Sequence, residues 1–374
     1  MTDYRAALGH IVDEIVTPQA QEVDRCGSFP RAAIEALGAA GLLGLVSAHE
    51  VGGVGRGLPA AAEVVEGLAR ACGSTAMILM MHYVATSVVE AYGPEEVRQG
   101  IASGSHLTTL AFSEPGSRSH FWVSEAGARP EGDKVRLDGQ KSWVTSAGEA
   151  SSYLWSTRPL EAEGAMTLWL VPADTPGLSH EGSFDGLGLR GNASTPVRAD
   201  GALVERRAML GPDGAGLDVA ITVLLPWFLV LSAAVSLGLM EAVVERTLAH
   251  LCQTRLTHLD QALIDQPLPR ADLARMRLAT DTTRALVGDT LRALEEGRED
   301  AVLRTLEVKA AAAEAAIEVT DLAMKVCGGS AFRKDLGIER RFRDARAARV
   351  MAPTTEALLD FLGRVVAGLP LFER

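Results

Sequence analysis

The sequence predicts an α+β protein whose helices and strands are segregated, and three observations carry that prediction. Apolar residues recur at helical spacing from Asp3 to Gly100, and the same period returns from Gly216 onward. Between about His106 and Gly211 they fall instead into short runs rich in Thr, Val, Leu and Trp, separated by Gly, Pro and Asp. Helix, β, helix in sequential blocks is not an alternating βαβ pattern. With 374 residues, 47% of them hydrophobic, the chain can bury a large core in two or three regions. We place them at 1–105, 106–212 and 213–374.

In the first block Ile34, Leu37 and Leu42, then Val64, Val65, Leu68 and Ala69, mark helix faces on either side of the breaker GGVGRGLP. Phe29-Pro30 ahead of RAAIEALG reads as a helix entry, because proline is tolerated where no N–H is needed. In the middle block LTTLAFSE, DKVRLDGQKSWVTS, SSYLWSTRP and AMTLWLVPAD read as strands, and Asp138-Gly139 predicts a tight hairpin turn. The last block has long helical segments at 217–252, 271–296 and 301–327, then Gly328-Gly329 and a shorter helical region. Within it, Ala220 to Met240 is 21 residues without a charge, long enough to cross a bilayer. Pro226, two serines and a threonine dilute that run and no basic cluster flanks it, so it is expected to be a buried core helix and not a membrane span.

Lys and Arg total 36 against 48 Asp and Glu, a net charge of -12, which excludes a phosphate-backbone partner such as nucleic acid. Cys26, Cys72, Cys252 and Cys327 lie far apart with no metal-ligand spacing, so no disulfide framework and no zinc site are expected, and a reduced cytoplasmic setting fits. The N-terminus lacks the apolar stretch of a secretory signal. GxGxxG after a strand, the P-loop and GxSxG are all missing. What remains are polar clusters beside aromatics. Taken alone, Ser113-Glu114-Pro115-Gly116-Ser117 is a turn and Trp143 a core residue.

Together the pieces resemble a family. FPRAAIEALGAAGLLGL, ARACGSTAMIL, LAFSEPGSRS, LDGQKSWVTSAG, GLRGNAS, GLMEAVVERTL, VCGGSAF and RRFRDARAARV follow the order seen in the acyl-CoA dehydrogenases, which are FAD flavoproteins. The resemblance covers nearly the whole chain. It implies an N-terminal helical domain, a middle β domain and a C-terminal four-helix bundle, assembled as a homo-oligomer (dimer or tetramer). It implies FAD as cofactor and an acyl-CoA or a carrier-protein-bound acyl thioester as substrate, and leaves the electron acceptor open.

The same resemblance assigns roles. Leu110, Phe112, Ser113 and Ser119 should touch FAD, with Ser119 also near the substrate thioester. Trp143 should lie beside the isoalloxazine and the Thr145 hydroxyl should face flavin N5, where a donor stabilises the reduced ring. Arg255, Gln266, Gly328 and Gly329 should reach the adenine and pyrophosphate end across a subunit interface, an arginine fork and bare backbone both suiting a pyrophosphate. Thr354 and Glu356 fall where further adenine-side contacts are found.

The departure concerns the base. Abstraction of the α proton of an acyl thioester needs a positioned base, in this family the Glu of a Y-E-G-T sequence. Here the register places Met351 at the Tyr, Ala352 at the Glu, Pro353 at the Gly and Thr354 at the Thr. A minority of members carry the Glu on the long helix instead, near Phe228 of this chain. Both seats lack a carboxylate, while the Ala352 backbone N–H can still donate to a thioester oxygen, which makes Ala352 a substrate-binding residue. Three readings follow: α,β-dehydrogenation with a base relocated to Glu241, Glu114, His82 or His120; flavin chemistry that needs no base, such as desulfination or oxygenation; or a non-catalytic FAD-binding subunit of a heteromeric dehydrogenase.

Overall fold

The computed structural model describes residues 3–117 and 120–372. Its first block is helical: α1 (Tyr4–Ile11) runs through one wider turn into α2 (Thr17–Cys26), followed by α3 (Arg31–Ala39), α4 (Leu58–Ala71), α5 (Gly73–Tyr92) and α6 (Glu95–Ala102). Asp3 starts α1 by accepting from the Arg5 N–H. In α4 the buried Ala61, Val64, Val65 and Leu68 share one face, as the sequence period requires. α5 is buried on every side from Gly73 to Thr86. It therefore sits at the centre, between the other helices and the β block.

The middle block holds two four-stranded sheets. The first, in the order β1 (Thr108–Ala111), β4 (Ser152–Thr157), β5 (Thr167–Pro172) and β8 (Met209–Leu210), pairs β1 parallel to β4. The second orders β2 (Gly127–Glu131), β3 (Lys134–Val144), β7 (Thr195–Glu205) and β6 (Leu178–His180), all antiparallel. Trp155, Trp169, Val135, Leu137 and Val197 form a core separate from the helical one. The hairpin expected at Asp138-Gly139 is corrected here. β3 runs straight through both residues, and the turn is Gly132-Asp133, with Glu131 paired to Lys134 and Gly132 at φ 64°. Asp138 instead accepts from the N–H of Gly201, the left-handed residue that shifts the β3–β7 register. Gly139 is needed for space, since a Cβ there would stand 2.6 Å from that of Ala126.

The last block begins with the short α7 (Gly216–Val219) and continues into α8 (Leu225–Gln253). A small hairpin, β9 (Arg255–Leu256) and β10 (Gln261–Ala262), leads to α9 (Pro267–Glu295), α10 (Ala301–Cys327), α11 (Ile338–Val350) and α12 (Thr355–Val366). Among the described residues one helix, spanning Gly216–Gln253, is long and apolar enough to cross a membrane. Its uncharged run is explained by burial: from Phe228 to Val244 every residue is enclosed, with α4 and α5 on one side and α9 and α10 on the other.

The RRFRDAR segment of α11 ties the three blocks together. Arg341 donates to the Arg70 carbonyl (2.5 Å) and Arg340 to that of Ala71 (2.9 Å), so two cations cap the C-terminus of α4. Arg343 forks onto Asp24 at 2.5 and 2.8 Å. Asp344, buried, accepts from the Leu189 N–H at 2.6 Å. One helix face thus fixes the N-terminal helices and the β block against the bundle.

Candidate functional site

All three blocks meet around one cleft of 2060 Å³. A pocket for one drug-sized ligand is about 300–1,000 Å³, so this cleft can hold two ligands side by side.

Its β wall is the end of β1 and β3. Leu110, Phe112, Ser113, Trp143 and Thr145 all line the cleft, and the Ser142 N–H donates to the Ser113 carbonyl at 2.7 Å, locking the two strand ends together. Between Lys141 and Val144 the β3–β7 register slips, and Trp143 takes a left-handed φ of 55°. A bulge of this kind turns a side chain out of the sheet. Trp143 is accordingly 70% exposed, a large flat apolar surface presented to the cleft. Leu189, another non-glycine residue at positive φ, lines the same cleft, and Ser146 and Ala193, also at positive φ, adjoin the lining residues Thr145, Asn192 and Ser194 in sequence. Backbone strain of this kind concentrates at functional sites. The Thr145 and Ser194 hydroxyls lie 3.2 Å apart, leaving the Thr145 oxygen with a further hydrogen bond to give.

The opposite wall comes from the bundle. Ala352, Thr354 and Glu356 line it, and Thr354 is the N-cap of α12, accepting from the Ala357 N–H. The inner end is apolar: Met77 and Met81 from α5 face Leu224, Leu225 and Phe228. At the outer edge Trp122 packs against Phe361 and Phe372, with ring centroids 5.3 and 5.1 Å away. Ser119 lies outside the described residues.

Four predicted residues lie elsewhere. Arg255 pairs with Asp260 at 2.6 Å, Gln266 bonds Gln261 at 2.8 Å, and Gly328 caps α10 with its N–H on the Lys325 and Met324 carbonyls. Gly329 follows it, with open space where a Cβ would stand. The Lys325–Asp272 ion pair (2.8 Å) joins the end of α10 to the start of α9, so these residues share one end of the bundle, outside the cleft.

Three of the four candidate bases are engaged by close partners. Glu114 lies beneath the β wall, paired with Lys141 at 2.5 Å and accepting from Ser124 Oγ and the N–H groups of Glu125 and Ala126. Burial pushes its carboxyl up, but Lys141 and these donors outweigh it and hold it below the usual range. Glu241 is held by Arg277 and Arg284, whose hydrogen bonds bring it down to about 2. His82 is fully buried, bonded to the Leu43 carbonyl and the Thr108 N–H, and burial lowers it to about 4. Of the four, Glu114 and His120 line the cleft, and among the described residues Glu114 is held in an ion pair while His120 is in none. Its Nδ1 lies 3.1 Å from the Ser117 carbonyl, which can only accept, and the other ring nitrogen, Nε2, is left for the cleft.

Two lysines were missed by sequence reasoning. Lys141 sits in the polar run Asp138-Gly139-Gln140-Lys141-Ser142 and gives no signal of its Glu114 partner. Lys309, 1% exposed, lies in an alanine-rich stretch with no acid three or four residues away, which is the one trace it leaves.

Family models for the acyl-CoA dehydrogenase N-terminal, middle and C-terminal domains match residues 2–104, 109–202 and 214–367. The chain belongs to the acyl-CoA dehydrogenase family. The short-chain specific acyl-CoA dehydrogenase of Homo sapiens mitochondria is 29% identical over 349 residues, covering 91% of this chain and 83% of that protein. The butyryl-CoA dehydrogenase of Megasphaera elsdenii superimposes with a TM-score of 0.91 at 21% identity, covering 98% of this chain and 99% of the other. An FAD complex of PigA superimposes at 0.89 with 18% identity, covering 97% and 96%. The acyl-CoA dehydrogenase fold, a helical N-terminal domain, a central β domain and a C-terminal helical domain, is therefore the one expected from the sequence.

Proposed function

We propose that this acyl-CoA dehydrogenase family flavoenzyme binds FAD and α,β-dehydrogenates an acyl thioester with an apolar acyl chain, using His120 as a relocated base. One observation carries the reading: a single cleft juxtaposes Ser113, the turned-out Trp143 and Thr145 with the Ala352 peptide and an apolar inner end. The residues fit a flavin. Trp143 offers a flat apolar face, Thr145 and Ser113 offer hydroxyls, and the volume leaves room for a thioester beside the ring. FAD bound there would accept the β hydride.

The chain's own residues do the remainder. Met77, Met81 and Phe228 enclose the acyl chain and exclude water. The Ala352 N–H donates to the thioester oxygen and favours charge developing there. His120 Nε2 takes the α proton, leaving an α,β-unsaturated thioester. A second copy of the chain would bring Arg255, Gln266, Gly328 and Gly329 to the far end of the FAD, which accounts for their place outside the cleft of their own chain.

The alanine at 352 and the phenylalanine at 228 support a second reading, flavin chemistry on the thioester without a base. Anaerobic titration with straight-chain acyl-CoAs separates the two. The purified protein is expected to be yellow and to bleach, and His120→Gln to bleach far more slowly. Colourless protein that takes up no FAD sinks both readings; a yellow protein that never bleaches sinks the first.

A further inference from the structure

Lys309 lies in the middle of α10, 1% exposed, with no carboxylate bonded to it. Its ammonium donates to three backbone carbonyls instead: Ala348 at 2.9 Å, Met351 at 3.0 Å and Pro353 at 2.7 Å. Burial pushes the group down to about 7, with the Glu356 charge partly opposing. Enclosing a cation this way is costly unless every proton is matched, and here all three are.

The acceptors are the last turn of α11 and the two residues flanking Ala352. Met351 C=O and Ala352 N–H belong to one planar peptide group, in which carbonyl and amide point in opposite directions. Turning the Met351 oxygen inward onto Lys309 therefore turns the Ala352 N–H outward, to the cleft that Met351, Ala352 and Pro353 line. That N–H has no hydrogen-bond partner among the described residues. A cation on the carbonyl of a peptide also strengthens its N–H as a donor.

We infer that Lys309 is a positioning residue that aims and polarises the Ala352 amide as the donor for the substrate's thioester oxygen. This rests on the thioester reading above and deepens it. With no carboxylate on the residue 352 side chain, the backbone of this loop and the cation behind it are what the cleft wall offers a carbonyl. Lys309 itself does not line the cleft and touches no substrate.

The test compares two probes on the FAD-loaded protein. S-benzoyl-pantetheine has a thioester carbonyl and no α proton, so it binds without turnover; S-benzyl-pantetheine replaces the carbonyl by methylene. Both carry the arm common to CoA and carrier proteins. Wild type is expected to prefer the thioester by about tenfold, the worth of one charge-assisted hydrogen bond. Lys309→Met should bring that preference to within about twofold, with flavin loading and thioether affinity kept, since a merely structural lesion would weaken both probes alike. Lys309→Gln, which keeps two donors without charge, is the second variant should the first not fold, and should show an intermediate preference. A wild-type preference in either variant overturns the inference alone. A wild type indifferent to the carbonyl overturns the thioester reading and this inference with it.

Discussion

Lys141→Met tests how the β wall is held in place. Lys141 and Glu114 are buried beneath the strand ends that carry Ser142-Trp143 and Ser113, and the lysine also donates to Ser156 Oγ at 2.8 Å. Removing one partner of a buried ion pair costs about 3–5 kcal/mol, because it strands the other charge. Glu114 keeps Ser124 and two backbone donors, so the lower end, about 3 kcal/mol, is expected. At ~2.1 cal/mol/K per residue the 374 residues carry an unfolding entropy near 0.8 kcal/mol/K, which makes the shift in Tm about 4 °C downward. Adding Glu114→Gln removes the stranded charge and should recover about half of the loss. Because Ser113 adjoins Glu114 and Trp143 stands two residues from Lys141, the single variant should also bind FAD about tenfold more weakly, measured by flavin fluorescence on dilution. A Tm within 1 °C of wild type together with unchanged FAD affinity would refute this account of the pair.

Three further outcomes follow from the same geometry. Burial raises Asp344 to about 6 from its ordinary 3.8, with the Leu189 N–H and Arg340 opposing, so the folded state holds its proton where the unfolded chain has lost it. That contribution is full below about pH 4 and lost as pH rises through 6, worth about 1 kcal/mol between pH 7 and 5 in urea titrations, and Asp344→Asn should abolish the slope. His120→Gln should lower kcat for acyl-CoA reduction of the flavin by about 10²-fold with KM little changed; an unchanged rate favours the base-free reading. Ala352→Glu should speed anaerobic bleaching by simple acyl-CoAs by about 10²-fold or more and make the rate insensitive to His120→Gln; no gain means that position 352 does not face the α carbon.

What the sequence made legible divides along one physical line. The helical blocks could be read because burial imposes a period, and α8 could be read as core because its uncharged run carries a proline, two serines and a threonine with no basic cluster flanking it. The Asp138-Gly139 turn was misread because the same dipeptide serves a different need inside a strand, a carboxylate for the Gly201 N–H and bare space beside Ala126. Glu114 and Glu241 looked available because their partners, Lys141 and the Arg277–Arg284 pair, lie 27 to 43 residues away in sequence. Lys309 was invisible for a stronger reason: its partners are carbonyls, which every residue has. The same holds at position 352. A motif that specifies a side chain reports its loss plainly, yet an amide aimed at a ligand survives any substitution that leaves the peptide plane where Lys309 holds it. The alanine therefore argues for a lost carboxylate and, by itself, says nothing against a retained thioester site.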